Sequence, residues 1–432
     1  MRQIIITYGD TRIGIEEFLV KFAVKPAVVL MIYFGFFARQ QGFLGLGGGM
    51  ITALLSFSLM LFCGYHFLFV EKKQNISQLA TGISIFFIII ALTPFFSAFV
   101  FDGDPKAIFR FSFEVGVAFF LFFSFYYLVR AKIITPRFFI YSIAFLGAFA
   151  AFQVIFNLIG ISQLRRLTIG LGSINYTANA FTICLVAWVA IIYKDYVFES
   201  VNKSRLFVYL FVSFIVFIII FLSGTRSAAV AFIIGLAMFQ LFGMKSKKVN
   251  MMIIFLLILT VLFIIYLSTR IDLTFFLDRF TYNQIMGMTM IRLNQYAMSI
   301  TDLTFFELLI GRPDLYTFSD GGLNPRLINT HNFILSIIRY NGILSFILVI
   351  FLGLTIVITY LKNFSIRRYL PRIRLTEATI IVFLTIVFIY SMFSGGRITR
   401  MFSFYIIIGY SIGYLDLMKS YSYKKQNKKF VL

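Results

Sequence analysis

From about residue 27 to residue 418 the chain returns repeatedly to uncharged apolar runs. Each is close to the roughly 20 residues that a helix needs to cross a bilayer. Composition agrees. The chain is 60% hydrophobic and 13% charged, where a soluble domain carries about 25% charged residues, and its mean hydropathy is +0.93. The sequence therefore predicts an all-α polytopic membrane protein, a single integral membrane domain over residues 1–432. Twelve spans are expected near 19–38, 49–70, 81–101, 111–129, 139–161, 174–193, 206–224, 227–243, 252–268, 342–361, 375–395 and 402–418. Glu17, Lys21 and Lys25 run along the start of the first, so part of it is expected to lie along the interface. The sixth is short unless the polar "GLGSINYTANA" enters the membrane. The N-terminus "MRQIIITYGDTRIGIEEF" lacks the order of regions of a cleavable signal peptide. Cys63 and Cys184 fall inside apolar spans and read as small core hydrophobes.

Positive charge sets the expected orientation. The tail "KSYSYKKQNKK" and the loops "KNFSIRRYLPRIR" and "MKSKK" are basic, so both termini are expected in the cytoplasm. Residues 269–341 then form the one large external loop, with short amphipathic helices at "LTFFLDRF" and "LTFFELLI". The net charge of +22 follows from basic cytoplasmic loops. No nucleic-acid motif accompanies it, and no nucleic-acid partner is expected. The arginines are distributed unevenly. On this topology the cytoplasmic side holds 16 Lys and 9 Arg, the outer side 13 Arg and only Lys106. Orientation asks for no arginine outside. Arginine's planar fork grips phosphate or carboxylate at two points, which lysine cannot do. Pairing with external acids or lipid headgroups accounts for part of the set; the rest suits a phosphate ligand at the outer face.

Several stretches could hold such a ligand. In "RLINTHNFILSIIRYNGILS", residues 326–345, a helix starting near Asn329 or Thr330 would stop at Asn341-Gly342. Asn332, Ser336 and Arg339 would share one face of a surface helix, with His331 at its edge. An ordinary interfacial helix has such a face, yet near-neutral histidine is also the side chain best suited to take a proton from a hydroxyl. His66, the other histidine, sits in an apolar span and reads as a satisfied structural residue. "FLSGTRSAAVAFIIG" places Arg226 at a small-residue turn opening a helix, a corner friendly to anions. "FSGGRITRM" repeats that pattern with Arg397 and Arg400, and "SQLRRLTIGLGSINYTANA" adds Arg165 and Arg166. Arg292 would lie on a loop helix. Asp102-Gly-Asp104 reads as a turn, and no metal site is expected. The glycines of "LGLGGGM" are read as following no strand, so they make no dinucleotide fingerprint.

His331-Asn332, nine residues, then Gly342-Ile-Leu-Ser345 resembles the motif of bacterial O-antigen ligases and the related O-antigen (Wzy-type) polymerases. "LSGTRSAAVAFIIGL" resembles their small-residue turn with an arginine, and Arg292 the arginine that opens their large periplasmic loop. The likeness covers residues 206 to 361 best. Ser345 departs from the ligase pattern, which usually ends in Gly or Thr. The resemblance implies a GT-C-like membrane glycosyltransferase of the bacterial inner membrane, working without a metal or other cofactor and with its site facing the periplasm. Donor and acceptor would be oligosaccharides on undecaprenyl diphosphate, with a flippase and a chain-length regulator as protein partners. A ligase would instead transfer the glycan to lipid A–core. The resemblance implies His331 as base or orienter of the acceptor hydroxyl. Arg226 and Arg292 would act on the diphosphate, with Arg339, Arg397, Asn332, Arg165 and Arg166 as binding helpers. A transporter of lipid-linked glycans fits less well, because transporters bury ionisable groups near the midplane and spans seven to ten are almost free of them.

Overall fold

The computed structural model describes residues 5–8, 11–14, 19–37, 42–43, 46–70, 76–101, 105–158, 174–199, 202–223, 225–241, 246–269, 281–312, 332–366, 371–393 and 402–429. They form an almost wholly helical bundle. Apolar chain in hydrocarbon must satisfy its backbone polar groups internally, and helices do so within each segment. In chain order the helices are α1 (Lys25–Ile32, flanked by π-helical turns Val20–Val24 and Tyr33–Phe37), α2 (Gly48–Tyr65), α3 (Gln78–Phe101), α4 (Pro105–Arg130), α5 (Pro136–Leu158), α6 (Ile174–Phe198) and α7 (Lys203–Leu222). They continue as α8 (Arg226–Leu241), α9 (Lys247–Ser268), α10 (Tyr282–Thr301), α11 (Phe305–Ile310), α12 (Phe333–Ile366), α13 (Pro371–Phe393) and α14 (Phe402–Lys429).

Among the described residues, eight helices are long and apolar enough to cross a membrane. Four shorter apolar segments, Phe22–Phe37, Ser227–Phe239, Leu375–Ser391 and Phe402–Met418, fall where the remaining four spans were expected. The sixth span is not short. Its polar leader is helical from Ile174, and Asn179 is buried. Two small antiparallel hairpins also occur, β1 (Ile5–Tyr8) with β2 (Thr11–Gly14) and β3 (Gly42–Phe43) with β4 (Leu46–Gly47). The glycines before α2 thus do follow strand residues, contrary to the sequence reading. A two-residue hairpin is still not the strand–helix unit that a dinucleotide needs.

The bundle is built around two elements. Helix α6 is its hub, with 78% of its span buried and α5, α7, α8 and α13 packed on it. Helix α14 crosses α4 closely at Gly409 and Gly413, where an added Cβ would overlap the carbonyl oxygens of Phe122 and Tyr126. Small residues four apart let two helix backbones meet in this way. The Tyr126 hydroxyl then ties three helices. It donates to Asp416 Oδ2 at 3.0 Å and accepts from Arg130 Nη1 at 2.9 Å and from the Ser77 backbone at 3.3 Å. At the periphery, only 22% of the α9 span and 11% of the α12 span are buried, leaving long apolar faces outward. Cys63 and Cys184 are free and buried, and His66 Nδ1 lies 2.7 Å from the Tyr127 hydroxyl, as their apolar settings suggested.

This crossing gives a first prediction. Gly409→Ala forces α4 and α14 apart and costs about 1–3 kcal/mol, the usual range for overfilled packing. Gly116→Ala, on α4 with open space around the new methyl, is neutral or mildly stabilising because alanine is the better helix former. Thermal unfolding in detergent separates the two; equal midpoints would remove the crossing from the list of close contacts.

Candidate functional site

The expected polar helix exists and is shorter than its sequence suggested. Asn332 Oδ1 accepts the backbone N–H of Ile334 at 2.9 Å and of Leu335 at 3.2 Å, so Asn332 is the N-cap of α12. The expectation of a start at Asn329 or Thr330 is corrected: those residues and His331 lie outside the described residues, and helix begins at Phe333. The stop at Gly342 holds. There φ is 79° and ψ 168°, a region open essentially to glycine alone. The chain turns at this residue and resumes as the apolar span.

A second glycine faces the first. Gly311, with φ 88°, ends α11, and a Cβ on it would strike the backbone nitrogens of Asn341 and Gly342. A Cβ on Gly342 would overlap the Leu309 carbonyl oxygen. Two backbones therefore meet with no side chain between them. The break frees carbonyls that a continuous helix would have used, and two carbonyls there have donors from elsewhere. Arg312 N–H donates to Arg339 O at 2.8 Å, and Ser345 Oγ donates to Asn341 O at 2.8 Å. Ser97, near the end of α3, donates through Oγ to Gly311 O at 3.2 Å. The α11 segment is fixed in turn by the capping box of Thr304 and Glu307, by the Glu307–Arg312 ion pair, and by Arg312 standing 4.8 Å from the Phe101 ring centre.

Burial corrects a second expectation. The polar helix is not a surface helix. Arg339 is 1% exposed, Ser336 and Asn341 2%, and Ser345 3%, because α3, α10 and α11 all pack against α12. Amphipathic spacing put Ser336 and Arg339 on one face; what covers that face is tertiary. A guanidinium removed from solvent is held only where opposite charge or several acceptors meet it. Asn341 differs from it. Both its side-chain Oδ1 and Nδ2 are buried without a hydrogen-bond partner among the described residues. Each such group costs about 1–3 kcal/mol until something pairs with it, so this amide is ready for a ligand or a water.

Of the other residues singled out in the sequence, Arg292 lies partly buried on α10, the helix packed on α12. Arg226 opens α8 after a tight turn in which Ser223 Oγ accepts the Thr225 N–H at 3.2 Å. Its side chain is not among those described. Arg165, Arg166, Arg397 and the Asp102–Asp104 turn lie outside the described residues. The structure thus joins Asn332, Ser336, Arg339 and the helix of Arg292, and leaves the remaining arginines unplaced. It adds Asn341, Arg312, Glu307 and Ser97. The Thr304-x-x-Glu307 spacing followed by Gly311-Arg312 is the sequence signal that points to them.

Beside this polar break runs an apolar groove of about 400 Å³. Its walls come from α3 (Ile83, Phe87), α12 (Phe346, Val349), α13 (Phe388) and α14 (Phe404), and they present almost no polar surface. Ile334 joins the groove to the capped start of α12. It lines the groove and lies two residues beyond the cap Asn332. Comparison of the chain with protein-family models and with curated proteins finds no match to either.

Proposed function

We propose that the protein is a membrane glycosyltransferase that polymerises lipid-linked polysaccharide repeats at the outer face of a bacterial inner membrane. The observation that carries this reading is a long apolar groove running along α12, lined by Ile334 before and Phe346 after the buried polar break at Gly342. A substrate with an apolar chain and a polar head matches that pair of surfaces. An undecaprenyl diphosphate carrying an oligosaccharide is such a molecule. In this reading the four shorter apolar helices complete twelve spans of a GT-C-like bundle, and both termini, the Lys-rich tail among them, stay in the cytoplasm.

In this reading the residues take the roles that the resemblance implies. His331 takes the proton of the acceptor sugar hydroxyl. That oxygen attacks the donor's anomeric carbon, and the bond from this carbon to the diphosphate oxygen breaks. The lipid diphosphate leaves with the electron pair, and Arg226 and Arg292 hold its growing negative charge. Arg339, Arg397, Arg165, Arg166 and Asn332 help bind the head, and Asn341 offers it a bare amide.

The test is a proteoliposome assay with lipid-diphosphate-linked repeats as both donor and acceptor. Longer lipid-linked chains, with lipid diphosphate released in step, are the expected products. Transfer to added lipid A–core in place of chain growth would make the protein a ligase. No covalent product in either case, with the glycan merely changing sides, would leave a transporter. In the same assay Arg226→Lys lowers the rate by ~10–100-fold, the worth of one charged hydrogen bond of about 1.5–3 kcal/mol. An unchanged rate would return Arg226 to the role of a turn residue.

A further inference from the structure

A second cavity lies where the start of α5, the end of α6 and the start of α13 meet, and nothing in the transfer reaction uses it. It holds about 130 Å³ and is walled by Arg137, Tyr141, Lys194 and Thr376, with aliphatic side chains such as Ile140 and Leu375 behind them. One aromatic ring organises its cations. The Arg137 guanidinium lies 5.4 Å from the Tyr141 ring centre and the Lys194 ammonium 5.8 Å from the same centre. Two like charges are thus kept on one wall of a cavity.

Their counter-charges differ. Lys194 sits 2.9 Å from Glu199 and 3.5 Å from Asp195, and Asp195 is further held by the Tyr209 hydroxyl at 3.1 Å. Arg137 makes no ion pair among the described residues. Arg137 is therefore the cation of this wall that no acid among the described residues answers, and its planar fork fits two phosphate oxygens. Acids close by limit what can enter. With Asp195 and Glu199 beside Lys194 and the buried Glu377 next to Thr376, a dianion would be repelled where a monoanion is welcome. A phosphodiester carries one charge, and its ester arms suit the aliphatic wall. Lys132 adds a cation in the turn just before α5. A headgroup that brings an ammonium of its own meets Arg137 and Lys194 as like charge. Basic pockets between membrane helices are recognised sites for anionic lipid headgroups.

We propose that this cavity binds the headgroup phosphodiester of an anionic phospholipid, of the phosphatidylglycerol or cardiolipin type. The site is independent of the transfer reaction, so the two ideas stand or fall separately.

The test uses the full chain purified in detergent, with native mass spectrometry to count retained lipid and thermal unfolding to read its effect. Phosphatidylglycerol and cardiolipin are retained and raise the midpoint, while phosphatidylethanolamine and inorganic phosphate do not. Arg137→Gln weakens phosphatidylglycerol retention about tenfold, and Arg137→Lys restores only part of it. Arg137 is exposed, so both variants fold, and their unliganded midpoint confirms it. Equal retention by wild type and Arg137→Gln would overturn the site. Equal binding of phosphatidylethanolamine would overturn its charge preference, and binding of inorganic phosphate would make the ligand a soluble anion instead.

Discussion

Gly342→Ala is expected to lower both the unfolding midpoint and the transfer rate. Alanine at φ 79° and ψ 168° costs about 1–3 kcal/mol of backbone strain. Its methyl would also overlap the Leu309 carbonyl, adding about 1–3 kcal/mol of overpacking. The cheapest escape is for α11 to move off the break. That motion pulls Arg312 from Arg339 O and Gly311 from Ser97, two bonds that now seal the junction. Asn341 and Arg339 would then lose their enclosure, and a reaction that relies on them slows by more than the stability change alone explains. Ser345→Ala is the companion variant. It removes the hydroxyl bond to Asn341 O, worth about 0.5–1.5 kcal/mol, and leaves the turn in place. Wild-type midpoint and rate in Gly342→Ala would show that the two glycines do not meet in the working protein.

His331→Ala is expected to reduce transfer by about 10²–10⁴-fold, the usual worth of a positioned base, with the unfolding midpoint unchanged. His331 directly precedes Asn332, whose side chain caps α12, so the cap anchors the chain beside the proposed base. Added imidazole restores part of the variant's activity. A variant with the wild-type rate would end the catalytic assignment. It would leave the groove and the break as a binding site served by another base.

The helices were readable from the sequence because the bilayer leaves little choice: a run such as Leu206–Leu222 can satisfy its backbone in hydrocarbon only as a helix. The end of the polar helix was readable too, since Asn341-Gly342 is a stop that a glycine conformation requires. Its beginning was less so. Asn329, Thr330 and Asn332 are all competent caps, and only the hydrogen bonds of Asn332 to Ile334 and Leu335 show which one acts. Ser345 looked like a departure from the ligase pattern. In the structure it serves the break by covering the carbonyl that Gly342 leaves open.

The sequence by itself determined the class of this protein, the order of its helices and the polar residues that share the first turns of α12. These depend on local rules: hydropathy over about twenty residues, periodicity over a few turns, and the steric freedom of glycine. Tertiary structure alone decided that Arg339 and Asn341 are buried, that Gly311 meets Gly342, and that an apolar groove ends beside Asn332. Periodicity tells which side chains face the same way, whereas burial depends on what arrives to cover them. Here the covering elements are α3, α10 and α11, and α3 lies more than two hundred residues earlier in the chain.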